Sequence, residues 1–224
     1  MSATNAPYGL RPINLIGGQA FNGGVIREFK VAANNSAAIF NGDLVVLSSA
    51  GLPSAVGTTP VANLLPAVAG NATAGTPGIV GVCVGARFVD PVLKQQQFAQ
   101  YLPANTISGG YTDVWVRVMD DPDALFQIQG TEALGTFNSG TDGSGWPGAI
   151  GKNAALNFGS SGSTTTGNSG VRLLVGTNGG SIAATGSLAV RIVDLVAGTT
   201  GDDYPEFIVK LNVGVHSYTN SLGV

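Results

Sequence analysis

Residues 113–119 read Asp-Val-Trp-Val-Arg-Val-Met, and residues 206–215 read Glu-Phe-Ile-Val-Lys-Leu-Asn-Val-Gly-Val. In a strand, successive side chains point to opposite faces. Val114, Val116 and Val118 therefore share one face, with Trp115, Arg117 and Met119 on the other. Phe207, Val209, Leu211, Val213 and Val215 likewise fall on one face, opposite the mostly polar set Glu206, Ile208, Lys210 and Asn212. Such alternation marks half-buried antiparallel strands. Working outward, the same grammar recurs in VIREFKV (25–31), LVVL (44–47), IVGVCVGARFV (79–89), LFQIQ (125–129), VRLLV (171–175) and LAVRIVDLV (188–196). These runs are rich in β-branched residues and bounded by Gly, Pro, Asn and Ser. No segment of helical length carries an i, i+3, i+4, i+7 stripe. The best place for a short helix is PVLKQQQFAQYL (91–102), with Asp90 as N-cap and Pro91 at the first helical position. The expected fold is mainly β, an antiparallel sandwich or barrel of jelly-roll-like kind.

Three stretches stand apart. Residues 1–24 contain Pro7, Pro12 and two Gly-Gly pairs, and read as an extended N-terminal arm. Residues 25–224 then form a single β-rich domain. Residues 48–78 are rich in Ala, Gly, Pro and Thr, and residues 135–170 in Gly, Ser, Thr and Asn; both read as long loops. Long irregular segments are uncommon in a compact free domain.

Composition points the same way. The chain has 224 residues, of which 34 are Gly and only 10% are charged, against roughly 25% charged in an ordinary soluble protein. A monomer of this mass exposes roughly 9,500 Å², or about one charge per 400 Å². Such a thin coat fits either an uncharged polar surface or a surface covered by neighbours. Ten Lys and Arg against 13 Asp and Glu, without a basic cluster, argue against nucleic acid. No apolar stretch is long enough to span a membrane, and the N-terminus lacks the pattern of a secretory signal.

Few residues offer chemistry. The single histidine, His216, has no GxSxG elbow to serve and reads as a surface or strand-end residue. Cys83 lies in an apolar run and reads as a small buried hydrophobe. Asp120, Asp121 and Asp123 are the densest carboxylates, but Pro122 interrupts them and a tight turn explains them. NSGTDGSG (138–145) only faintly echoes a calcium loop, with Ala149 where its bidentate Glu belongs. GAIGKN (148–153) lacks the Ser or Thr of a phosphate loop. Trp115 and Trp146 could stack on a sugar, but core packing for Trp115 and interface or core packing for Trp146 are the expected roles. No cofactor or metal site and no catalytic residue is expected.

Several motifs, in order, resemble a family of virion structural proteins of tailed bacteriophages and prophages. They are NAPYGLRP (5–12) followed by GGQAFNGGVIREFKV (17–31), NGDLVVL (41–47), VMDDPDALFQIQ (118–129), GSTTTGNSGV (162–171) and KLNVGVHSY (210–218). The resemblance runs from Asn5 to about Tyr218. It implies a non-enzymatic capsid decoration or cement protein on the virion exterior, made in the host bacterial cytoplasm. Its partner would be the major capsid protein, and it would self-associate as a homotrimer. A tail, neck or fibre-base component and a carbohydrate-binding β-module are the alternatives. Pro7, Tyr8, Leu10 and Arg11 in the arm, with Trp146, are the expected interface residues. The arm and at least one long loop are expected to order against other subunits rather than against the chain's own core.

Overall fold

The computed structural model describes residues 4–17, 26–31, 36–48, 63–66, 79–133, 146–159, 161–176, 181–199 and 201–219. Its strands are β1 (Arg11–Leu15), β2 (Ile26–Val31), β3 (Leu44–Ser48), β4 (Asn63–Pro66), β5 (Ile79–Val89), β6 (Gln96–Ala99), β7 (Thr112–Met119), β8 (Ala124–Gln129), β9 (Asn153–Asn157), β10 (Arg172–Leu174), β11 (Ile182–Ala183), β12 (Val190–Leu195) and β13 (Glu206–Leu211). The protein is mainly β, and the described residues contain no α-helix. All eight strands expected from the alternation are present.

One sheet runs β1-β8-β13-β12-β9-β10, with β11 paired to β9. The other runs β3-β4-β2-β7-β5-β6, and β3 also pairs with β5. That extra pairing closes β3, β4, β2, β7 and β5 into a ring, a small barrel with β6 hanging from the far half of β5. Every pairing is antiparallel except β2 with β4.

Two apolar clusters follow. Val31, Val45, Val80, Cys83, Ala86, Phe88, Val114, Val116 and Val118 fill the barrel. Leu44, Val46, Ile79, Val82 and Met119 leave the same strands on the outer side and join Phe126, Ile128, Phe207 and Val209 in a larger core shared with the first sheet. β5 is thus buried on both faces, which is why its sequence is a continuous apolar run. A bulge sets which residues face which core. Val45 lies opposite Gly81 and Val46 opposite Ile79, leaving Val80 unopposed, so a residue is added without breaking the ladder. Gly81 is required there, because a Cβ would stand 2.0 Å from the Met119 carbonyl oxygen. The full burial of Phe126, Phe207, Ile128 and Val209 stabilises the fold by about 1.5–3 kcal/mol per side chain.

The short helix expected over 91–102 does not form. The Asp90 carboxylate accepts from the backbone N–H of Val92 and Leu93, and Lys94 takes a left-handed φ of 54°. The chain turns back as β6, pairing with β5 from Ala99 opposite Ala86 to Gln96 opposite Val89. The segment's real period is two: Gln97 and Ala99 are half-buried, Gln96 and Phe98 exposed.

The described part of the N-terminal arm is also corrected. Residues 4–17 lie on this chain's own core. Leu10 is fully buried, and β1 is an edge strand paired with β8, the position where Pro12 can do without an N–H. Gln129 clamps the segment before it, donating to the Thr4 carbonyl at 3.0 Å and accepting from the Ala6 N–H at 3.2 Å. The loop expected over 135–170 contains β9, which pairs with β10, β11 and β12. Within 48–78, residues 63–66 form β4, while 49–62 and 67–78 lie outside the described residues, as do 134–145.

Candidate interaction surface

Three segments far apart in sequence meet at one point on the surface. Asn41 and Asn168 form an isolated parallel bridge, in which the Asn41 N–H donates to the Gly167 carbonyl and the Ser169 N–H to the Asn41 carbonyl. The Leu10 N–H donates to the Gly42 carbonyl at 3.0 Å. The packing is tight: a Cβ on Gly9 would come within 2.5 Å of the Ser169 Cβ, and Gly9 has a φ of +72°. Asp43 ties the junction together. Its carboxylate accepts from the Phe40 N–H at 2.8 Å and from Ser169 Oγ at 2.5 Å. Burial pushes this carboxyl above the usual carboxylate range, against the opposing effect of those two donors. The loop around 161–170 therefore packs on its own chain, and the motifs NAPYGLRP, NGDLVVL and GSTTTGNSGV converge here.

Of the expected interface residues, Leu10 is fully buried in this chain's own core. Pro7 and Tyr8 are half-buried and Arg11 is exposed. The Arg11 guanidinium sits 4.4 Å from the Tyr8 ring centroid. Tyr8 donates its hydroxyl to Glu206 Oε1 at 3.0 Å, while Gln127 donates to Glu206 Oε2 at 2.6 Å. Burial, with Glu206 beside it, holds the phenol protonated far above its ordinary range. Two grooves open on this pair. One of about 430 Å³ runs past Pro7 and Thr166. The other, about 280 Å³, is lined by Tyr8, Arg11, Asn41, Gln100, Arg117 and Asn168 among others. Arg117, on the mixed face of β7, was not singled out by the sequence. Trp146 opens a 3-10 turn, Trp146–Ala149, and its side chain lies outside what the structure describes.

A second exposed feature is the β5–β6 hairpin. Val92 and Leu93, on a turn pinned by Asp90, and Phe98, on β6, are 84%, 60% and 73% exposed. Phe98 begins a row across the outside of the barrel. It lies opposite Arg87, which lies opposite Trp115, which lies opposite Lys30. Trp115 is half-buried on this outer face, not in a core. Its ring carries the Arg87 guanidinium at 4.9 Å and the Lys30 ammonium at 5.3 Å, and its Nε1 donates to Asp113 at 2.6 Å. Arg87 in turn pairs with Glu28 at 2.9 Å and Asp113 at 2.5 Å. Cations of this chain already occupy the ring, which counts against Trp115 as a platform for a sugar.

The residues weighed for catalysis are placed otherwise. His216 is buried, not at the surface. Its Nδ1 accepts from the Tyr218 N–H at 3.2 Å, and the two rings meet edge to face at 5.1 Å. Burial holds the imidazole below its ordinary pKa despite Asp120 and Asp121 nearby. Asp120 is taken by an ion pair with Arg27 and by the Tyr218 hydroxyl at 3.2 Å. Asp121 accepts from the Asp123 N–H in a tight turn, and Asp123 pairs with Lys210. Cys83 is fully buried, as expected, and burial pushes its thiol up to about 12. Comparison with protein-family models, with curated proteins and with solved structures gave no match.

Proposed function

We propose that the chain is a non-enzymatic structural protein of a phage virion, a decoration or cement protein that binds and stabilises the major capsid protein lattice from outside. The observation that carries this reading is the β5–β6 hairpin. A pinned turn holds Val92 and Leu93 in solvent, and β6, paired to β5, holds Phe98 there; exposed apolar side chains on a rigid support are what a docking surface needs. The low charge of the chain supports it, since the cores of protein interfaces are depleted of charge. The ordered resemblance of the motifs supports it too, three of them meeting at the junction of Leu10, Asp43 and Ser169. Self-association as a trimer belongs to the same proposal.

The test is location and copy number in intact particles. Hundreds of copies on the head support decoration. About six or twelve copies, the numbers of a symmetric ring, place the chain in a neck, tail or fibre base instead.

A further inference from the structure

We propose that the groove between Arg11 and Arg117 binds carboxylate side chains of an extended acidic segment on a neighbouring protein. That this neighbour is a virion subunit rests on the function proposed above; the chemistry of the groove does not.

Arg27, Arg87 and Lys210 each have a carboxylate of this chain in contact. Arg191 donates to Asn153 at 3.1 Å and Arg172 to Asn5 at 2.8 Å. Arg11 and Arg117 are exposed and line the same groove. Among the described residues neither has a carboxylate within ion-pair distance.

Their surroundings explain why they stay unpaired. Tyr8, beside Arg11, donates to Glu206, and both oxygens of that carboxylate are occupied, one by Tyr8 and one by Gln127. Arg11 instead stacks on Tyr8. A stacked guanidinium keeps the N–H groups at its edge available for a planar acceptor. Arg117 stands in the ladder between Glu28 and Gly85. The Glu28 carboxylate is engaged by Arg87, and Gly85 has no side chain to cover the arginine. The amides of Asn41, Gln100 and Asn168 line the same groove, with Gln100 donating to Asn168 Oδ1 at 3.0 Å. The site therefore offers two planar forks and neutral donors, and no competing carboxylate lines it.

Planar forks match carboxylates in bidentate fashion. Two cations in an acidic chain are too few for a nucleic-acid backbone. About 280 Å³ lies near the small end of ligand sites, suited to a peptide segment with its side chains.

The probe is a capped peptide of alternating Asp and Gly, titrated into the whole chain while the arginine Nε–H resonances are followed by NMR. A matched Lys-Gly peptide and inorganic phosphate serve as controls. Saturable shifts of the Arg11 and Arg117 signals, with Arg27 and Arg87 still, are expected. Arg11→Gln or Arg117→Gln should each weaken binding about tenfold or more without lowering the melting temperature. The proposal is overturned if neither resonance moves, or if phosphate at equal concentration shifts them as much. In parallel, the double variant is compared with wild type on undecorated capsids. Equal binding overturns the groove as a contact and leaves the decoration reading standing. A wild-type chain that ignores capsids yet takes the acidic peptide sinks the decoration reading and leaves the groove standing.

Discussion

Ser169 donates its hydroxyl to Asp43 at 2.5 Å, bridging 126 residues of sequence and joining the loop before β10 to the turn that starts β3. The same carboxylate accepts from the Phe40 N–H, and Ser169 Oγ accepts in turn from the Val171 N–H at 3.0 Å. Asp43→Ala leaves two donors without a partner, each costing about 1–3 kcal/mol, so a loss of about 2–4 kcal/mol is expected in urea unfolding. Asp43→Asn can still accept from Phe40 and donate to Ser169, and should stay within about 1 kcal/mol of wild type. The carboxyl's pKa is raised above 3.8 on folding. Its charged form is therefore a burden to the folded state at neutral pH, relieved as pH falls through the folded value towards 3.8. The Asn variant should compare better with wild type at pH 7 than at pH 4.

His216 titrates with the opposite consequence. Its folded pKa lies below the ordinary 6.5, so the unfolded chain takes up the proton first. The contribution of the neutral ring to stability is intact above 6.5 and is lost as pH falls from there towards the lowered value. His216→Asn places an amide oxygen where Nδ1 accepts from the Tyr218 N–H and cannot protonate. Between about pH 7 and pH 5, melting curves of wild type should fall more steeply than those of the variant. Parallel curves would show that the imidazole is not what senses acid.

The sequence was legible where one face or both faces of a strand are apolar. DVWVRVM and EFIVKLNVGV carried their pairing in their alternation, and IVGVCVGARFV its double burial. It was silent where pairing rests on the backbone. β1 carries a proline, β6 is Gln-Gln-Phe-Ala, and β9 is Asn-Ala-Ala-Leu-Asn among glycines; each is held by ladder bonds to a stronger neighbour. The alternation of EFIVKLNVGV also ends early. The strand stops at Leu211, Asn212 donates its amide to the Leu188 carbonyl, and Val213 turns out to solvent, 65% exposed. Of the expected interface residues, Tyr8 and Arg11 do line a groove, but Leu10 does not, because nothing local tells an anchor for a partner from an anchor for the chain's own core. Arg117 became visible only once the folded ladder put Gly85 beside it.

That placement changes how the arm can be studied. Deleting residues 2–12 removes Leu10 from the core and the start of β1 from its sheet. Leu10→Ala alone should cost about 2–5 kcal/mol, and the deletion more. Tyr8→Phe gives up only the bond to Glu206 and should cost about 0.5–1.5 kcal/mol. Chemical denaturation of the three variants checks the order. A deletion as stable as wild type would mean that residues 4–12 do not pack on this core.

The hairpin separates stability from docking. Val92, Leu93 and Phe98 are mostly in solvent, so replacing all three with serine removes little buried surface, and each change should move stability by no more than about 0.5 kcal/mol. The Asp90 bonds that shape the turn go to backbone N–H groups and survive the change. Binding should respond differently. An aromatic anchor at the centre of an interface commonly contributes about 2 kcal/mol or more, so the triple variant should bind undecorated capsids at least about tenfold more weakly with an unchanged melting temperature. Phe98→Ser alone should account for most of the loss, because Phe98 stands opposite Arg87 in the row that continues through Trp115, while Val92 and Leu93 sit at the tip. Full binding by the triple variant would remove the hairpin from the docking surface and leave the groove beside Tyr8 as the remaining contact to test.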